Sequence, residues 1–170
     1  VRDREGRFIG HLWIYEDVTS ERQTAEQLVY LAERDPLTGL YNRHRFQQEL
    51  ARTMLDTDRH QLQCAVMFFD LDEFKTINDS YGHRTGDALL ILTARELERV
   101  VRRSATVYRQ GGDEFAIVLP DVRDIGEVVR INDEIMRMAA GNAMVDGHEL
   151  PMSMSIGAAI YPLDADNFES

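Results

Sequence analysis

Arg109 to Leu119 reads RQGGDEFAIVL, a Gly-Gly pair and two acidic residues between the short apolar run that ends at Tyr108 and the run from Phe115 to Leu119. Glycine reaches positive φ at little steric cost, so a Gly-Gly pair between strand-like runs predicts a hairpin. That hairpin holds Asp113 and Glu114 at the tip of a ribbon. Upstream, Val66 to Lys75 reads VMFFDLDEFK, where an apolar run stops at Asp70 and Asp72. If both runs join one sheet, Asp70 faces Asp113 and Glu114 across neighbouring strands. Such a carboxylate group suits a hard divalent cation and phosphate chemistry.

Working outward, the pattern predicts a helix over Arg45–Met54, a buried strand over Gln63–Phe69 and a helix over Asp87–Arg103 with Leu90, Ala94, Leu97 and Val101 on one face. After the hairpin come a helix carrying Val128, Ile131, Ile135 and Met138, a short strand pair around His148 and a strand from Met152 to Tyr161. Met152, Met154, Ile156, Ala158 and Ile160 share one face of that strand. Helices mixed with hairpin-linked strands predict an α/β (α+β) domain with a mainly antiparallel central sheet flanked by helices.

The chain has 170 residues and a formal net charge of −11, one domain with an appendage. The acidic balance argues against a non-specific nucleic-acid or anionic-membrane binder. It leaves room for a nucleotide that arrives with its metal. The single cysteine, Cys64, sits in an apolar run, so a disulfide within the chain is impossible and a buried core position in a reducing, cytoplasmic setting is expected. No stretch approaches the ~20 apolar residues of a membrane span, and VRDREGRF at the N-terminus is not a signal peptide. The sequence reads as a piece of a longer protein. No Gly-x-x-x-x-Gly-Lys-Ser/Thr phosphate loop occurs, and His11, His44, His60 and His148 lack metal-ligand spacing. The methionines fall mostly at core positions.

Four segments in order, DPLTGLYNRHRF from Asp35, FFDLDEFKTINDSYGHRTGD from Phe68, YRQGGDEF from Tyr108 and SMSIGAAIYP from Ser153, resemble the GGDEF domains, the diguanylate cyclases. The resemblance implies a ferredoxin-like, polymerase-palm-like nucleotide cyclase fold. It further implies condensation of two GTP into cyclic di-GMP with loss of pyrophosphate, Mg²⁺ or Mn²⁺ as cofactor, and a homodimer in which each domain brings one GTP. It marks Asp70, Asp113 and Glu114 as catalytic and Asp70, the Leu71 carbonyl, Asp113 and Glu114 as metal-holding. Glu114 either completes the metal site or takes the proton of the attacking hydroxyl. Asp72 belongs to the motif, and for it a structural role weighs more than a place in the metal site.

Backbone N–H groups near Glu73 and Phe74 and the ammonium of Lys75 are expected on phosphate. Asn78 and Asp87 are expected on the Watson–Crick edge of guanine, although Asp87 would also serve as a helix N-cap. His83 is expected to pack the intervening loop. Gly39 and Arg43 are assigned to a wide turn and an internal salt bridge. Two departures stand out. The family's product-inhibition pair falls on Arg102 and Ala105, so its Asp is missing and feedback through that site is not expected. The family's closing helix, with a Lys and an Arg for the terminal phosphates, would follow Ser170.

The N-terminal part reads differently. Residues 1–19 resemble the last strand of a PAS-like sensor domain, with Asp17 and Thr19 at its exit. Residues 20–34 read as a signalling or linker helix with a Ser20/Gln23 capping box and an Ala25, Leu28, Ala32 stripe, stopped by Pro36. The GGDEF domain then covers 35–170. Three functions compete: a cyclase half-site controlled by the upstream sensor, a non-catalytic GTP-binding module regulating a downstream cyclic di-GMP phosphodiesterase domain, and a dimerisation segment. Replaceability of Asp70, Asp113 and Glu114 separates the last from the others, and sequence beyond Ser170 bears on the second.

Overall fold

The computed structural model describes residues 4–8, 27–101 and 105–164. It divides into two units, Val1–Ala32 and Glu33–Ser170. In the first, residues 27–32 belong to a helical run that ends at 33. The expected PAS-like strand beyond Phe8, the capping box and Arg102 lie outside the described residues.

In the second unit, the first strand and helix are β1 (Tyr41–Asn42) and α1 (Arg43–His60). There follow β2 (Cys64–Leu71), α2 (Phe74–Tyr81), α3 (His83–Val101), β3 (Thr106–Gly111) and β4 (Glu114–Leu119). The last described elements are α4 (Ile125–Ala139), β5 (Asn142–Val145), β6 (His148–Pro151) and β7 (Met154–Tyr161). The main sheet runs β1-β3-β4-β2-β7, and β5 and β6 form a separate hairpin. Every pairing is antiparallel except the short β1–β3 contact.

The alternation of β2 decides which side each residue serves. Ala65, Met67, Phe69 and Leu71 enter the main core beneath α3 and α4, with Leu90, Leu97, Ile131 and Ile135. Val66 is half-buried and Phe68 and Asp70 are exposed on the opposite face. There Phe46 and Leu50 of α1 pack on Tyr108, Ala116 and Val118. Burying one such apolar side chain contributes about 1.5–3 kcal/mol, so each face has its own reason to hold its helix. The β5–β6 hairpin closes a third cluster, with Ala143, Val145 and Leu150 against Ile77 and Leu89.

Two expected boundaries move. α1 begins at Arg43 and runs to His60 because Asn42 caps it, its Oδ1 accepting from the Arg45 amide at 3.1 Å, and Gln61 stops it in a left-handed conformation. α3 begins at His83, so Asp87 lies inside the helix and is not its N-cap. The corner at Gly82, with φ 86°, lets α3 start immediately after α2. Cys64 is fully buried, as expected, and burial pushes its thiol pKa up.

Candidate active site

The hairpin between β3 and β4 turns on Gly112 and Asp113, flanked by the Gly111–Glu114 pair. It is thus offset by one residue from the Gly-Gly pair itself. Gly111, at φ 137°, occupies backbone space closed to other residues, and Gly112, at φ 55°, lies in the left-handed region. Gln110 is an extra residue between the Arg109–Phe115 and Gly111–Glu114 pairs, a bulge at the end of β3.

The turn is anchored from below. The Arg109 guanidinium donates to the Gly112 carbonyl through Nε at 3.1 Å and Nη2 at 2.7 Å. Its Nη1 meets Asp35 Oδ1 at 2.8 Å. The two side chains are only 11% and 18% exposed. Asp35 also accepts from the Thr38 amide at 2.8 Å and hydroxyl at 2.7 Å. Burial alone would raise the Asp35 pKa, but the bonds from Arg109 and Thr38 outweigh it and hold the carboxyl below its ordinary value. The internal salt bridge expected of Arg43 is therefore made by Arg109. Arg43 instead lines a cleft on the α1 face of the sheet. Gly39, at φ 76°, shapes the wide turn as expected, and Arg34 Nη1 donates to its carbonyl at 2.9 Å.

Asp70 stands directly opposite Glu114 on β4 and opposite Ser155 on β7. Partial burial, then the negative charges of Asp113, Glu114 and Asp72, push its pKa up. Four carboxylates therefore gather at one end of the central strands within electrostatic reach. Among the described residues no three His, Cys, Asp or Glu side chains are already gathered at metal-binding separation. The donor set is nonetheless all oxygen, and like-charge crowding at Asp70 is what a divalent cation relieves.

Asp72 is tied to β7 through Ser155, the residue paired opposite Asp70. Ser155 Oγ donates to its Oδ1 at 2.7 Å, and its amide donates to the Ser153 carbonyl at 3.0 Å. The Ser155 and Ser153 hydroxyls hold its pKa below the ordinary value. The chain then passes through Glu73, left-handed at φ 57° and without a side-chain cap, into α2. The first-turn amides of such a helix have no intrahelical acceptor. This N-terminus follows directly from the Asp70–Leu71 strand end, and Lys75 is exposed on its first turn.

Asn78 is on α2 and Asp87 on α3, the first half-buried and the second exposed. The corner between them is held by the Gly82 amide on the Asn78 carbonyl at 2.9 Å, the Thr85 amide on the Gly82 carbonyl at 3.1 Å and Thr85 Oγ1 on the Tyr81 carbonyl at 3.1 Å. Tyr81 packs on His148 of β6, ring centroids 5.1 Å apart. His83 is exposed at the start of α3.

A cleft of about 820 Å³ runs along the α1 face, lined by Phe46, Leu50 and Met54 of α1, Phe68 of β2 and Tyr161 of β7 among others. Asp70 and Glu114 lie on its wall, whereas Lys75, Asn78 and Asp87 do not. The Arg109 anchor, the Asp72–Ser155 tie and the Gln110 bulge were not foreseen. Only the RQ preceding the glycines hinted at the first and last, and nothing local marks a contact between Asp35 and Arg109, 74 residues apart.

The pattern of the family described as diguanylate cyclase, GGDEF domain, matches residues 32–170. The chain belongs to the GGDEF family. Among curated relatives, the domain is 41% identical over 140 residues to the diguanylate cyclase TpbB of Pseudomonas aeruginosa, covering 82% of this chain and 32% of that protein. It is 41% identical over 137 residues to the diguanylate cyclase DgcN of Escherichia coli, covering 79% and 33%. The chain thus spans about a third of the length of these relatives.

Among solved structures, the GGDEF domain of TpbB superimposes with a TM-score of 0.75 at 40% identity, covering 78% of each chain. A sensory box/GGDEF protein of Caulobacter crescentus superimposes with a TM-score of 0.72 at 38% identity, covering 78% of this chain and 86% of that one. The mixed α/β sheet expected from the sequence is the fold of the GGDEF domain. Among the described residues no helix is long and apolar enough to cross a membrane.

Proposed function

We propose that this domain is a diguanylate cyclase half-site, joining two GTP molecules into cyclic di-GMP. The observation that carries the reading is the register that sets Asp70 opposite Glu114, with Asp113 in the adjoining turn. In each of two condensations the 3′-oxygen of one GTP bonds to the α-phosphorus of the other. The bond from that phosphorus to the α,β-bridging oxygen breaks, pyrophosphate leaves, and the hydroxyl proton passes to a base. Positioning and charge neutralisation supply most of the acceleration in such transfers.

Asp70, Asp113, Glu114 and the Leu71 carbonyl are the oxygens that would hold Mg²⁺ or Mn²⁺, which when bound neutralises phosphate charge and polarises the reacting phosphoryl group. Glu114 completes that set or takes the hydroxyl proton. The amides at Glu73 and Phe74, with Lys75, hold the triphosphate. Asn78 and Asp87 read guanine: the carboxylate accepts from N1–H and the 2-amino group, and the amide serves the rest of the edge. Adenine would leave these groups unpaired, so GTP is preferred.

The same reading places the protein in the cytoplasm, where GTP is available. It takes residues 1–19 as the end of a PAS-like sensor domain and residues 20–34 as the helix that passes the sensor's state to a catalytic homodimer. With Ala105 where the product-binding Asp would stand, feedback inhibition through Arg102 is weak. No observation favours the non-catalytic module or the dimerisation segment.

Chromatography of the products that the full-length protein forms from GTP and Mg²⁺ tests the reading, beside Glu114→Gln. Cyclic di-GMP from the parent and none from the variant is expected. GTP binding without product from the parent would overturn the cyclase assignment.

A further inference from the structure

Gly86 is buried in the first turns of α3, where alanine is the better helix former. Its backbone is helical, so no positive φ demands a glycine. Space does. A Cβ at this position would fall inside the van der Waals radius of Asn78 Oδ1, 3.0 Å from Asn78 Cγ and 3.2 Å from Phe74 Cζ. The amide of Asn78 therefore rests on the bare α-carbon of Gly86, one residue before Asp87. The Gly82 corner fixes the approach, because the Gly86 amide donates to the Gly82 carbonyl at 3.2 Å while the Gly82 amide donates to Asn78.

We infer that Gly86 is a specificity-positioning residue: the missing side chain is the seat that sets the Asn78 amide at the guanine edge. This rests on the reading of Asn78 and Asp87 as the guanine readers. Gly86 itself touches no substrate. Because Oδ1 is the end of a side chain with rotameric freedom, a methyl at 86 displaces the amide at small cost to the fold. The atoms nearest that methyl are Asn78 Oδ1 and Cγ and the tip of the Phe74 ring, so it strikes the Asn78 amide before the backbone amides at Glu73 and Phe74 or the Lys75 ammonium. The effect thus falls first on base recognition.

The experiment is titration of the intact protein with Mg²⁺ and GTP carrying a methylene at the α,β-bridge, which blocks turnover, beside the matching ATP analogue. The variants are Gly86→Ala, Asn78→Ala and the double variant. G86A is expected to weaken the GTP analogue on the order of tenfold, the value of one hydrogen bond. It should leave the weaker ATP analogue unchanged, and the double variant should match N78A, since the two changes remove the same contact.

Wild-type affinity in G86A beside a weakened N78A overturns the inference and leaves the guanine reading intact. Unchanged affinity in N78A overturns the guanine reading, and the inference with it. Additive losses, or equal weakening of both analogues, assign Gly86 to the fold alone and overturn the inference. If G86A does not fold, a double variant that folds and binds as N78A upholds the shared-space argument, and one that stays unfolded refutes it.

Discussion

Arg109→Met keeps most of the apolar stem and deletes the guanidinium that ties the wide turn to the hairpin. Three donor contacts go: one to Asp35 and two that share the Gly112 carbonyl. Removing one partner of a buried pair costs about 3–5 kcal/mol. Here the side chains retain 11% and 18% exposure, and Asp35 keeps both Thr38 bonds. The expected loss is therefore about 2–4 kcal/mol, roughly 6–12 °C in Tm for a domain of this size. Asp35→Asn should cost about 1–2 kcal/mol, because its amide oxygen still accepts from Arg109 and Thr38.

The sign with pH follows from the Asp35 pKa, which lies below its ordinary 3.8. A depressed carboxyl contributes stability that is full above 3.8 and is lost as pH falls through the folded-state value. The gap between wild type and R109M should accordingly narrow in acid, to what the two bonds to the Gly112 carbonyl contribute. Urea unfolding followed by circular dichroism at neutral pH and near pH 2 measures both. A loss under about 1 kcal/mol at neutral pH, or a gap that does not narrow at all in acid, would refute the anchor. R109M should also lose product formation at temperatures where it remains folded, because the carbonyl it held belongs to the turn carrying Asp113.

The two hairpin glycines should respond differently. Gly111→Ala meets φ 137° and costs about 1–3 kcal/mol, while Gly112→Asn meets φ 55°, which Asn tolerates for under about 1 kcal/mol; equal losses in thermal unfolding would contradict the turn geometry. Asp72→Ala releases the corner between β2 and α2 and should lower kcat/KM at least about tenfold, whereas Asp72→Asn, still an acceptor for Ser155 Oγ, should stay near the parent. Ser155→Ala should reproduce D72A. Steady-state kinetics in which D72N is as impaired as D72A would instead put the Asp72 charge on the metal.

The fold was legible wherever burial imposed a period. β2, β4 and the helices α3 and α4 bury one face or both, so their apolar spacing announced them. Asp70 and Asp113 stood out because each adjoins an apolar run at a strand end, where the chain bends. The starts of α1 and α3 were not, since polar first turns carry no period, and the caps that set them come from a neighbouring strand and corner.

Sequence by itself determined the GGDEF family and the sheet with its helices, and it singled out the carboxylates, amide and lysine proposed above to carry the chemistry. Tertiary structure alone decided which of them meet. Strand register set Asp70 against Glu114, and Ser155 of β7 closed on Asp72. Arg109, not Arg43, closed on Asp35, and the Gly82 corner laid Asn78 on Gly86. Each is a contact between residues on different elements, fixed by pairing and packing that local spacing does not encode.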